Sequence, residues 1–407
     1  MKSEYNLDPK LILIGVQMLF VAFGALILLP IITGLDSNVA LFTAGIGTLA
    51  FQIITKGKVP IFLASSFAFA APIMYGVQEW GIPATMSGLM ASGFFYMIVS
   101  YIVKIKGVNF VHKLFPPIVT GPIIILIGLI LAPVAVNMAV GKTGDGSAIL
   151  YNHHISLLIS GASLVTIILV SIFAKGFCKL ISILLGLIVG YTLAILFGIV
   201  DFGVMHEAKW FAIPKFVMPE FNLSAIIFIL PVCIAPMIEH FGDILAIGAI
   251  TKKDYLKDPG IHKTIFGDGF ATALAALFGG PPNTTYSEVT GAVALTKAVN
   301  PAIMTFAAIF AILLSFVGKV GILLHTIPTP VMGGIMILLF GTIVVIGLET
   351  LNKEKINYSH PRNIVIIGIM LVFGIGGMFF RIEEFEFGGI GLAGLLGIIL
   401  NLILPKE

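Results

Sequence analysis

From Leu11 to Leu404 the chain is a succession of apolar runs of about 17 to 25 residues, each able to cross roughly 30 Å of hydrocarbon. No stretch between them is long enough for a soluble domain. The bilayer is therefore the solvent, and the sequence predicts an all-α polytopic membrane protein. Its composition agrees: only 11% of residues are charged, against about 25% in soluble domains. In such a chain a net charge of +3 says nothing about nucleic acid, and no nucleic-acid partner is expected. Cys178 and Cys233 lie in apolar runs without CxxC spacing, so neither a disulfide nor a metal site is inferred, and no cofactor is expected. The apolar run after the polar segment Met1 to Lys10 is too long for a signal-peptide core and lacks a small-residue cleavage site, so the first span is expected to be retained.

Broken at charges, Gly and Pro, the runs give spans near 11–32, 39–55, 60–78, 83–103, 115–136, 155–174 and 178–200 in the first half. The second half gives 223–250, 265–279, 284–299, 301–318, 322–348, 363–380 and 388–404. With both termini cytoplasmic, eighteen Lys and Arg residues fall inside and five (Lys142, Lys209, Lys215, Lys319 and Arg381) outside. That is a strong positive-inside bias for fourteen spans.

The halves resemble each other at a nearly fixed offset. Phe23-Gly24 matches Phe241-Gly242, Ser65-Ser66-Phe67 matches Thr284-Thr285-Tyr286, and Pro116-Pro117-Ile118-Val119 matches Pro328-Thr329-Pro330-Val331. Seven spans per copy make the second copy inverted, which predicts repeats over 1–202 and 203–407. Inverted repeats with an interrupted helix in each copy point to a secondary transporter whose site lies at the repeat interface.

The interruptions are expected in spans 3 and 10, as half-helices with short extended stretches. Gly279-Gly280-Pro281-Pro282-Asn283-Thr284-Thr285-Tyr286-Ser287-Glu288 breaks one apolar region with two prolines that cannot sit inside a helix. Asn283, Thr284 and Thr285 are good N-cap residues for a helix starting near Tyr286. Its free amides and positive dipole end would face a polar ligand. Ser65-Ser66-Phe67-Ala68 is the expected partner, and the rings of Phe67 and Tyr286 stand where they could sandwich a planar solute.

Charged side chains well inside the spans are Glu239, Asp243, Asp268 and Glu288, all in the second half. Each is costly in lipid and is therefore a functional candidate. Glu239 and Asp243 are four apart on one helix face, where two ionised carboxylates repel, so a proton or a cation between them is expected. Asp268 suits either a helix-end contact with Lys263 or a functional role. His240, one residue off the Glu239 face, reads as a packing group or a support for the site. Pro231 and Pro236 are expected to kink the span that carries Glu239.

An enzyme is not expected. HExxH is absent, the GxGD protease pattern fails at Ile265-Phe266-Gly267-Asp268, and no nucleotide-binding P-loop is present. A channel would favour charge rings over buried carboxylates, and an anion carrier would place a basic residue near the half-helix starts. None stands between Pro60 and Val77 or between Gly279 and Thr296.

At Glu239-His240-Phe241-Gly242-Asp243 and Gly279 to Glu288 the chain resembles the nucleobase/ascorbate transporter family, and within it the bacterial uracil permease branch. The likeness extends to Lys56-Gly57-Lys58-Val59-Pro60, Ser65-Ser66-Phe67-Ala68-Phe69, Leu114-Phe115-Pro116-Pro117, Asp258-Pro259-Gly260-Ile261-His262 and Pro330-Val331-Met332-Gly333-Gly334. The resemblance implies fourteen spans, with a core domain (spans 1–4 and 8–11, about 11–106 and 223–320) moving against a gate domain (spans 5–7 and 12–14, about 115–200 and 322–404). It also implies a homodimer in the inner membrane and uptake of a nucleobase coupled to a cation, usually a proton.

Carried over by position, Glu239 and Glu288 match carboxylates that hydrogen-bond the pyrimidine ring. The backbone amides of Phe67 and Ser287 match those facing its carbonyl oxygens, and Tyr286 matches an aromatic wall. Uracil offers two N–H donors and two carbonyl acceptors, which such groups complement. Proton coupling is expected to involve Glu239, Asp243 and Asp268. The chain departs from the family pattern at Val289, where Asn is usual, at Met18, where His is common, and at Phe340, where Tyr is found near the uracil site. Glu288 favours uracil and Asp243 favours the purine branch, so a xanthine or uric acid permease stands as the alternative.

Overall fold

The computed structural model describes residues 5–107, 116–206, 209–353, 356–382 and 385–405. Lys2, Lys113, Leu114, Phe115, Lys355 and Lys406 lie outside the described residues. The first half runs α1 (Leu11–Thr33), α2 (Ser37–Ile54), β1 (Leu63–Ser65), α3 (Ala70–Glu79), α4 (Gly81–Lys106), α5 (Pro117–Ala139), α6 (His153–Phe173) and α7 (Ser182–Leu196). The second runs α8 (Leu223–Ile229), α9 (Ile234–Thr251), α10 (Ile261–Leu277), β2 (Asn283–Thr285), α11 (Ser287–Thr296), α12 (Ala302–Ser315) and α13 (Gly318–His325). It closes with α14 (Thr329–Lys353), α15 (Pro361–Ile375), β3 (Phe379–Ile382), β4 (Phe385–Gly388) and α16 (Gly389–Ile403).

Among the described residues, seven helices are long and apolar enough to cross a membrane: α1, α2, α4, α5, α6, the run Leu223–Thr251 and α14. The helices α7, α12, α15 and α16 are apolar but shorter. Local chemistry fixes several starts. The Asp36 carboxylate accepts from the amides of Asn38 (2.8 Å) and Val39 (3.0 Å), capping α2. Asn222 caps α8 by accepting from Ala225 N at 2.9 Å. The break expected at Pro231 is a 3-10 turn, Leu230–Cys233, while Pro236 is absorbed in the first turn of α9.

The helices pack as two groups. In one, α10 lies against α4 and α2, and α12 against α2 and α1; in the other, α14 runs along α5 and α6, and α15 along α16 and α5. The α4/α10 contact requires glycine on both sides. A Cβ on Gly93 would meet Ala273 N at 2.5 Å and Gly269 O at 2.6 Å, so backbone packs on backbone.

The chain is not purely helical. β1 pairs antiparallel with β2 in the register Leu63↔Thr285, Ala64↔Thr284, Ser65↔Asn283. β3 and β4 also pair antiparallel, which shortens the apolar run expected at 363–380 to a helix ending at Ile375. The run expected at 322–348 divides at Pro328 and Pro330, so that α13 ends at His325 and α14 starts at Thr329.

Candidate functional site

Six residues from the two halves of the chain meet as a buried two-stranded ribbon. A strand pair this short leaves its outer backbone groups to be satisfied by other means, and the sequence supplies them. Thr48 Oγ1 donates to Leu63 O (3.1 Å) and accepts from Leu63 N (2.9 Å). Thr272 Oγ1 donates to Asn283 O at 2.7 Å. The Asn283 side chain donates to Thr43 O at 2.8 Å, and Gly47 makes room for it. Beyond the strands, Ser66 N donates to Pro282 O (2.9 Å) and Tyr286 N to Phe62 O (3.2 Å).

This pairing corrects two expectations. Asn283, Thr284 and Thr285 form β2 rather than an N-cap; Tyr286 holds the cap position of α11 and makes no side-chain cap bond. Phe67 and Tyr286 are not equivalent positions. Ser66 and Tyr286 are the first residues past their strands, whereas Phe67 and Ser287 begin the helical turns.

Each sequence-predicted site residue has a definite setting. Glu239 and Asp243 lie on α9, and Glu239 is within electrostatic reach of both Asp243 and Glu288. Asp243 is buried, with both carboxylate oxygens occupied: Thr285 Oγ1 donates to Oδ2 at 2.6 Å and Ser287 Oγ to Oδ1 at 2.7 Å. The carboxylate thus ties α9 to the end of β2 and the start of α11. Ser287 and Glu288 are exposed, flanked by buried Tyr286, Val289 and Thr290, so this first turn opens onto accessible space. The Tyr286 hydroxyl donates to Ser65 O at 2.9 Å. Phe67, half-buried, finds its ring partner in Phe340 rather than Tyr286, edge to face at 6.2 Å between centroids. Phe340 comes from α14 and the other helix group, so this contact bridges the two.

Asp268 sits in mid-helix, fully buried, and not at a helix end against Lys263 as the sequence allowed. Its Oδ1 lies 3.7 Å from His240 Nδ1, and it is within electrostatic reach of Glu239, Asp243 and the Tyr96 hydroxyl. His240 is also fully buried and packs edge-on to Phe51, which agrees with its reading as a packing or supporting group. Sequence reasoning did not find Thr285 or Tyr96 as neighbours of the carboxylates. The hydroxyls at Thr285 and Ser287, two apart across a strand exit, were the available signal for the first. Tyr96 gave none, because one tyrosine in an apolar run looks like any other core aromatic. No group of His, Cys, Asp and Glu suited to a metal ion occurs among the described residues.

Membrane-length helices, a buried ribbon joining the two halves, and carboxylates gathered beside it define a multi-pass membrane protein of the transporter class. The Permease family profile for xanthine and uracil permeases matches residues 9–382. The chain belongs to this family, the nucleobase/ascorbate transporters, and is a permease rather than an enzyme. It is 54% identical over 404 residues to the "Probable uracil permease" of Haemophilus influenzae, covering 99% of this chain and 96% of that protein. It is 41% identical over 401 residues to the "Uracil permease" of Bacillus subtilis, covering 96% and 92%. Its fold is similar to the transmembrane domain of a cyanobacterium bicarbonate transporter, BicA, with a TM-score of 0.64 at 16% identity over 97% of both chains.

Proposed function

We propose that the chain is a secondary active transporter that imports uracil together with protons across the inner membrane. The observation that carries this reading is the β1/β2 ribbon with Glu239, Asp243 and Glu288 gathered at its exit. The full-length likeness to relatives named uracil permeases supports the choice of substrate. In this reading the fourteen spans form two inverted repeats, and α3 and α11 are the half-helices of spans 3 and 10. The two helix groups are the core and gate domains, both termini are cytoplasmic, and the protein works as a homodimer.

Glu239 and Glu288 accept the N–H groups of the base. The amides of Phe67 and Ser287, at the two helix starts, donate to its carbonyl oxygens. Tyr286 and Phe67 frame the ring plane, and Phe340 of the gate closes on it from the other side. Asp243 has both oxygens engaged by Thr285 and Ser287, which supports a coupling and positioning role over direct recognition of a purine. Protons are carried by Glu239 and Asp243, with Asp268 behind them.

Binding to the purified protein tests the site. Glu288→Gln and Glu239→Gln should each weaken uracil binding by about 1 to 3 kcal/mol, the cost of a polar group left poorly paired once the base covers it. Wild-type affinity in either variant would remove that carboxylate from the site.

A further inference from the structure

A cavity of about 290 Å³ opens away from the ribbon, at the lysine-rich end of the first helix group. Its walls come from the ends of α2 and α4 and the start of α10: Ile54, Met97, Tyr101 and Phe266 are apolar, and Lys104, His262 and Lys263 supply the polar rim. No carboxylate lines it. The wall is fixed in place by Ser100, whose hydroxyl donates to His262 O at 2.5 Å and pins α4 to α10. Neither Lys104 nor Lys263 forms an ion pair with a described residue. Asp258, which feels the charge of Lys263, is already paired with Lys58 and feels that lysine more strongly. Burial, together with the charges of Lys263 and Lys104, holds the His262 imidazole below its ordinary pKa, which places all three side chains in one field.

Below the rim the surface turns apolar in a directed way. On α4, Phe94, Ile98, Tyr101 and Ile105 are exposed at helical spacing, and on α10 Phe266 and Phe270 are exposed and stacked, 11° apart in plane at 6.4 Å. Both stripes face outward and continue the apolar wall of the cavity. Two cations over a hydrocarbon-facing furrow match an amphiphile with an anionic head, and match neither a soluble anion nor a neutral lipid.

We propose that this pocket binds an anionic phospholipid, its phosphate between Lys104 and Lys263 and one acyl chain in the furrow between α4 and α10. His262 is placed to hydrogen-bond a phosphate oxygen or a glycerol hydroxyl. The lipid would brace α4 against α10, the helix that carries Asp268.

Native mass spectrometry of the purified full-length protein tests this with phosphatidylglycerol, phosphatidylcholine and inorganic phosphate as probes. A lysine near an anionic surface contributes about a fivefold change in affinity, so Lys104→Ala/Lys263→Ala should weaken phosphatidylglycerol binding roughly 25-fold and abolish its preference over phosphatidylcholine. Lys104→Arg/Lys263→Arg should keep the preference. Lys175→Ala/Lys179→Ala, an equal loss of charge elsewhere, should leave it unchanged. If the double alanine variant does not fold, Lys104→Gln, at an exposed side chain, carries the same test with about a fivefold loss expected. Unchanged preference in Lys104→Ala/Lys263→Ala or in Lys104→Gln, an equal loss in the Lys175/Lys179 control, or displacement of the lipid by millimolar phosphate overturns the proposal.

Discussion

The Tyr286 hydroxyl donates to the carbonyl oxygen of Ser65 at 2.9 Å, a buried bond between residues 221 apart in the chain. It closes the ribbon just where β1 ends and α11 is about to begin. Tyr286→Phe removes the donor and leaves the Ser65 carbonyl buried without it. Stability should fall by about 1 to 2 kcal/mol, read as a lower midpoint of thermal unfolding in detergent.

Asp243 joins α9 to the exit of β2 through two hydroxyl donors. If it also carries the proton, Asp243→Asn should separate exchange from accumulation. Exchange of labelled for unlabelled uracil across proteoliposomes should persist, while accumulation driven by a pH gradient should be lost. Retained accumulation would assign coupling to Glu239 or Asp268 instead.

Two glycines carry opposite expectations. A Cβ on Gly47 would lie 2.3 Å from Asn283 Nδ2 and 3.1 Å from the Ala271 Cβ, so Gly47→Ala should displace β2. Overpacking of this kind costs about 1 to 3 kcal/mol, and a lower folded yield should report it. A Cβ on Gly291 meets nothing within 4 Å. Gly291→Ala should therefore fold as the wild type does, and any loss of uracil affinity would place the base beside α11.

That the chain is a mostly helical, multi-pass membrane protein was legible in the sequence because bilayer thickness fixes span length, and the carboxylates stood out because lipid makes them expensive. What was not legible came from partners distant in the chain. Leu63–Ser65 and Asn283–Thr285 are too short to show a period-2 pattern, and the residues of β2 read as helix caps until β1 is placed beside them. Likewise the offset match aligned Phe67 with Tyr286, whereas the strand ends align Ser66 with Tyr286. Asp268 suited a helix-end contact with Lys263 as well as a functional role, because only the fold brings His240 and Tyr96 to it. Phe379 and Phe380 of β3 read as the end of the span 363–380 because they extend its apolar run.

Outside the spans, Asp258 is held below the usual carboxylate range, chiefly by its hydrogen bond from Lys58 and then by that residue's charge. A depressed acid stabilises the fold above its unfolded pKa, and that contribution is lost as pH falls through the folded value. The link between these two exposed loops should therefore weaken below about pH 4. Unfolding midpoints taken between pH 6 and pH 3 should fall more steeply for the wild type than for Asp258→Asn. Parallel curves would show that the pair contributes nothing.

The central claim is uptake of uracil driven by protons through a site built on the β1/β2 ribbon. Its most direct test is accumulation of radiolabelled uracil in cells lacking their own uracil permease, with a protonophore and unlabelled xanthine as the two challenges. The account predicts accumulation above the external concentration that collapses with the protonophore and is spared by xanthine. Accumulation that survives the protonophore would contradict proton coupling, and competition by xanthine without uracil uptake would contradict the substrate.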